Sequence, residues 1–137
     1  MIKNILVKPI PTELTYQFLP LVKHHIEAGL TDSDLNYEQA KVFLTNGSWL
    51  LLIALDEQEN LLGAYTIAFA NNPSDRVATI VSAGGRGLAS QSAFDQICEI
   101  VKSYGATKIQ ALAKESAARL YRRVGLNERA SLMEKKL

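Results

Sequence analysis

Arg76 to Ala83 reads as a strand, runs without a spacer into Gly84-Gly85-Arg86-Gly87-Leu88-Ala89, and is followed at once by a helical pattern. No other stretch constrains the fold of the chain as much. In that helix Phe94, Ile97, Cys98, Val101 and Tyr104 mark one face, and Asp95, Gln96, Glu99 and Lys102 the other. Gly105 closes it, and Thr107 to Leu112 reads as the next strand. A helix of that length between two strands is a crossover, so the two strands should be parallel.

The turn also has a chemical reading. Three glycines in four positions allow a tight turn and leave backbone N–H groups uncovered by side chains. The helix that follows adds the positive end of its dipole. Together they make an anion site, most often for phosphate or pyrophosphate. Glycines in strand-to-helix turns also serve purely steric ends, so both readings stand on the hexapeptide alone.

The rest of the chain predicts a mixed α/β order. Ile2 to Lys8 reads as a strand closed by Pro9 and Pro11, and Thr12 as the cap of a helix running to about Ala28. Pro20 should kink that helix or open a separate one. Tyr37 to Leu44 is a short second helix. Ser48 to Leu55 and Leu61 to Ala70 form a hairpin across Asp56-Glu57-Gln58-Glu59-Asn60, and Asn71 to Asp75 is a turn-rich loop. Glu115 to Val124 is a helix and Ala130 to Leu137 a final strand. The fold class is therefore α/β (α+β), in the order β-α-α-β-β-β-α-β-α-β.

Late in the chain, Ala117, Leu120, Tyr121 and Val124 recur at helical spacing, and Gly125 stands where a left-handed residue ends a helix. With the glycine-rich turn, this segment resembles the GNAT superfamily of acyl-CoA-dependent N-acyltransferases. The family loop reads Gln/Arg-x-x-Gly-x-Gly/Ala, and Gly87 and Ala89 hold its fourth and sixth positions, with Gly85 and Arg86 in the second and third. The later family pattern, Asn-x-x-Ala-x-x-Leu-Tyr-x-x-x-Gly-Phe, is met by Ala117, Leu120, Tyr121 and Gly125, with Leu126 in the aromatic place. Gly84 replaces the usual Gln or Arg, and Lys114 the usual Asn beside the pantetheine arm. The Gly-Gly-Arg opening and short charged tail also resemble divergent GNAT-like proteins of tailed bacteriophages, some of which are not enzymes.

The resemblance implies a single GNAT-like domain over residues 1–137, with a mixed, mostly antiparallel sheet flanked by helices. It implies acetyl-CoA as co-substrate and an amine as acceptor, or else a catalytically inactive structural or interaction protein. The cofactor-binding positions it implies are Ser82, Ala83, Gly85, Arg86, Gly87, Leu88, Ala89, Lys114 and Ala117. Backbone N–H groups of Arg86 to Ala89 would meet the CoA phosphates, and one near Ser82 or Ala83 the thioester oxygen. Arg86 is either a phosphate ligand or a solvated loop arginine. Tyr121 is either the general acid toward the CoA thiolate or a half-buried aromatic; a phenol is protonated at neutral pH. No carboxylate lies in Arg76 to Ala83, where many relatives carry the base. His24, His25, Glu27 and Asp75 are substitutes, or the amine arrives already deprotonated.

Composition bears on the partners. At 137 residues, 47% of them apolar, the chain can bury a core, and its net charge of +1 gives no reason to expect nucleic acid or an anionic membrane. A single cysteine, Cys98, forms no internal disulfide and falls on the apolar helix face as a small core residue. Adjacent residues such as His24 and His25 diverge on a helix, which argues against a metal site. The N-terminus lacks a signal-peptide core, and the longest apolar stretch, Trp49 to Leu55, is too short to span a bilayer. These features predict a cytoplasmic protein, or a host-cytoplasm or virion protein if phage-encoded. A homo-oligomer or a component of a larger particle is compatible with them. Arg119, Arg122 and Arg123 would approach the nucleotide 3′-phosphate or decorate an exposed helix face.

Overall fold

The computed structural model describes residues 4–31, 33–111, 115–129 and 133–137. A five-stranded sheet is built from β1 (Leu6–Ile10), β2 (Trp49–Leu55), β3 (Leu61–Asn71), β4 (Arg76–Gly85) and β5 (Lys108–Ala111), adjacent in that order. The first four strands pair antiparallel, and β4 pairs parallel to β5 across the crossover helix α3 (Gln91–Ser103), as the sequence predicts. Helices α1 (Thr12–Gly29) and α2 (Tyr37–Thr45) lie between β1 and β2 in the chain, and α4 (Glu115–Arg123) follows β5. Residues 133–137 are not strand, and 130–132 of the expected last strand lie outside the described residues.

Strand alternation sorts the apolar side chains into two cores, one on each face of the sheet. Leu51, Ile53 and Ala64 face α1 and α2, meeting Leu19, Val22, Ile26, Ala40 and Leu44. Leu52, Tyr65, Ile67, Ala78 and Ile80 face the other way, onto Phe94, Ile97 and Val101 of α3. Tyr121, Val124 and Leu126 pack at the margin of this second core, which is how α4 is held.

Several boundaries depart from expectation for physical reasons. Pro9 does not end the first strand; it pairs with Leu52 inside β1. β1 is an edge strand, and the Val7 N–H already points away from β2, to Gln96 Oε1 at 2.8 Å. Pro9, two residues on, shares that outward side, so its missing N–H removes no ladder bond. Gln96 is accordingly no solvated residue: its amide also donates to Ile5 O at 2.7 Å and closes the sheet edge. Thr12 is the first residue of α1, after Pro11, and not its cap; Pro20 sits inside the continuous helix. The second helix has the full reciprocal cap that Asn36 and Gln39 make possible.

Two features of β4 position the site. The register shifts between Thr66 and Ile67, which pair with Ser82 and Ile80, so Val81 is an extra residue in a bulge. The bulge turns Ser82 and Gly84 toward α1. A Cβ built on Gly29 of α1 would lie 2.9 Å from Ala83 N and 3.0 Å from Ser82 Cβ, and one on Gly84 would run into His25 O. Helix and strand therefore touch backbone to backbone at the end of β4.

Candidate functional site

The expected strand end at Ala83 moves to Gly85, because Gly84 and Gly85 still pair with Ala64 and Gly63. Only Arg86 to Ser90 form the turn, and Gly87 takes the left-handed conformation it requires, at φ 69°. Ser90 caps α3 by accepting from Ala93 N at 3.1 Å. The Arg86 N–H is not available to a ligand: it donates to Leu62 O at 2.9 Å. The N–H groups of Gly87, Leu88 and Ala89 have no acceptor among the described residues. They stand at the N-terminus of a 13-residue helix, where backbone donors and dipole reinforce one another.

β5 pairs with β4 only from Val77 to Ile80. Among the described residues, the backbone from Val81 to Gly85 has no strand partner on that side. A substrate amide or a thioester oxygen could meet it there. Ala83 is exposed at this stretch, whereas Ser82 is buried under α1 with its hydroxyl 2.7 Å from that of Thr66. Any contribution of Ser82 is thus from its backbone.

Tyr121 and Ala117, one helical turn apart on α4, are both half-buried, and Leu120 is exposed. Burial pushes the Tyr121 phenol above its ordinary value, so it is protonated across the neutral range. Nothing among the described residues hydrogen-bonds its hydroxyl. Tyr121 lies close enough to Tyr65 for its charge to raise the Tyr65 phenol further, after burial, the larger cause. Lys114 lies outside the described residues. Arg119 and Arg123 are exposed, and Arg122 reaches Glu128 at 3.7 Å.

Of the base candidates, the fold separates one from the rest. Asp75 precedes β4 and is held by Thr107 and Lys108, nine residues or about 30 Å of strand from Gly84. Glu27 and His24 are exposed on α1. His25 is half-buried, and its own carbonyl lies over Gly84. Burial first, then the neighbouring His24 and Arg86, hold its imidazole below the ordinary value. It is therefore neutral at pH 7 and able to accept a proton. The two histidine rings do not diverge as neighbouring helix positions should; their centroids are 3.8 Å apart at 39°. Among the described residues no three His, Cys, Asp or Glu side chains come together as metal ligands.

Tyr65 escaped the sequence reading. It is 2% exposed on β3, and its hydroxyl donates to Leu88 O in the turn at 3.0 Å. Its one sequence signal is a lone tyrosine in an apolar strand, where a buried phenol needs an acceptor. A separate cleft of about 230 Å³, lined by Thr12, Trp49, Phe69, Arg76 and Tyr104, lies at the opposite end of the sheet. Arg76 is already committed there to Tyr104 O and Asn71 Oδ1.

No family model and no curated protein matches the chain in sequence. Solved structures match over nearly the whole length. One from Pyrococcus furiosus, assigned as an acetyl transferase, is 21% identical with a TM-score of 0.69, covering 98% of this chain and 100% of its own. An aminoglycoside acetyltransferase from an uncultured soil metagenomic sample, solved with sisomicin, is 13% identical with a TM-score of 0.69, over 97% and 96% of the two chains. An acetyltransferase assigned from Clostridium acetobutylicum, solved with acetyl-CoA, is 16% identical with a TM-score of 0.63, again over 97% and 96%. The chain has the GNAT fold. No described helix is long and apolar enough to cross a membrane.

Proposed function

We propose that this protein transfers an acetyl group from acetyl-CoA to an amine. The observation that carries the reading is the turn after β4: Gly87, Leu88 and Ala89 present N–H groups at the head of α3 that find no acceptor among the described residues, beside a stretch of β4 that has no described strand partner on its β5 side. Gly87 to Ala89 would hold the pyrophosphate through the backbone, with the Arg86 side chain adding a cation. The backbone near Ser82 and Ala83 would face the thioester oxygen, and Ala117 would flank the pantetheine arm beside Tyr121. Acetyl-CoA supplies the activated acyl carbon; the amine nitrogen bonds to it as the carbon–sulfur bond breaks. His25 would take the proton the amine loses, and Tyr121 would supply one to the leaving sulfur.

Calorimetric titration with acetyl-CoA tests the loop. Gly87→Val places a branched side chain at a positive φ and beside the donors, so acetyl-CoA affinity should fall below detection in a protein that remains folded. Unchanged affinity in a folded variant would refute the assignment. For His25, kcat/KM should rise with pH through a midpoint below ~6.5, because the protonated imidazole cannot act as a base. His25→Gln should lose that acid limb and about 10²-fold in rate at neutral pH. A limb that persists in His25→Gln assigns the base elsewhere.

One observation favours a second reading, a non-catalytic GNAT-fold component of a larger assembly, such as a phage particle: no carboxylate lies on β4. On that reading the wild-type protein neither binds acetyl-CoA nor releases CoA with any amine in a panel. Release of CoA in proportion to acylated amine would rule it out.

A further inference from the structure

The turn after β4 is tied to the core beneath it by a buried side chain as well as by backbone. The Tyr65 hydroxyl donates to Leu88 O at 3.0 Å from a phenol that is 2% exposed. In a trans peptide the carbonyl of one residue and the N–H of the next point in opposite directions. Tying Leu88 O down into the core therefore aims the Ala89 N–H outward, away from the protein. At the other end of the turn, the Arg86 N–H is tied to Leu62 O at 2.9 Å, also on β3. β3 thus grips the turn at both ends, once through its backbone and once through Tyr65.

From this geometry we infer that Tyr65 is a positioning residue for the acyl-CoA pyrophosphate, acting through the Leu88–Ala89 peptide without touching the ligand. The inference rests on the acyl-CoA reading and adds to it the group that pre-orients the donors. The other inward anchor of the turn, the Leu88 side chain, packs on the same core but leaves the peptide free to rotate. Only a hydrogen bond to the carbonyl sets the direction of the N–H. A peptide that must be turned on binding costs affinity, and a pre-set one does not.

The experiment compares two ligands on folded protein. Tyr65→Phe keeps the ring and removes the donor, so the Kd for acetyl-CoA should rise about tenfold, the size of one lost hydrogen bond. S-acetylpantetheine, which ends before the pyrophosphate, should bind the variant and the wild type equally. Ile67→Val, a small core lesion on the same strand and face, should leave both affinities unchanged, which separates positioning from loss of stability. A second measurement needs no variant. In the wild type, amide hydrogen exchange at Ala89 should be fast in the free protein and slowed by acetyl-CoA, but not by S-acetylpantetheine. Equal weakening of both ligands in Tyr65→Phe, equal weakening by Ile67→Val, or an Ala89 amide already protected without ligand would overturn the role. Wild type that binds no acetyl-CoA would overturn the role together with the acyl-CoA reading; wild type that binds it, with Tyr65→Phe unchanged, would overturn the role alone.

Discussion

Gly84→Ala is expected to destabilise the protein by roughly 3 kcal/mol or more, out of the ~5–15 kcal/mol that holds a domain of this size. The added methyl would overlap His25 O, and next His25 C, both of them backbone atoms that no rotamer change can move aside. Relief requires α1 to lift from β4, which opens the core formed by Val22, Ile26 and Leu51. Gly125→Ala is the informative comparison. Gly125 has a φ of 103°, but an added methyl there would meet nothing within 4 Å, so its substitution carries a conformational cost alone, of about 1 kcal/mol. Denaturant unfolding of both variants should show Gly84→Ala as the clearly larger loss. A Gly84→Ala protein within about 1 kcal/mol of wild type would mean that α1 and β4 are not in backbone contact.

That contact also revises how the glycine run reads. In sequence, Gly84 is a departure from the family loop, a place where a polar contributor is lost. In the structure it belongs to the strand, and its missing side chain lets α1 descend far enough to bring His25 to the end of β4. The strand–turn–helix order, the crossover and the parallel β4–β5 pair were all legible, because each follows from local periodicity and connection length. That a glycine would serve the turn itself was legible as well, and Gly87 does so, at a positive φ that a side chain would oppose.

What stayed hidden depends on register between strands distant in sequence. Nothing local marks Val81 as an extra residue; the bulge exists only relative to Thr66 and Ile67 of β3. Without it Ser82 would share a face with Ile80, and Gly84 would not meet α1. Likewise, Tyr65 and Leu88 are 23 residues apart, and only the β3–β4 pairing brings phenol and carbonyl together. The proposed base was obscured in another way. His25 sits in a helix with no motif around it, and its proximity to Arg86 arises from the packing of α1 on β4.

Tyr121→Phe should lower turnover by about 10²-fold while leaving acetyl-CoA affinity and stability nearly unchanged, within the ~10²–10⁴ range of general-acid contributions. The low end follows from proton affinities. A thiol ionises near ~8.5 and an unperturbed phenol near ~10, and burial moves Tyr121 further upward. Complete transfer of its proton to the departing thiolate is therefore uphill, and its benefit is greatest while the carbon–sulfur bond is partly broken. Stability should hold because the ring that packs against the core is retained, and no described group loses a hydrogen-bond partner with the hydroxyl. A merely structural tyrosine gives the opposite pattern, with turnover kept and any loss confined to stability. Single-turnover measurements are needed alongside kcat, since slow product release would mask a lost acid. A single-turnover rate within threefold of wild type would remove Tyr121 from the chemistry, leaving the phosphate loop and Tyr65 to account for binding alone.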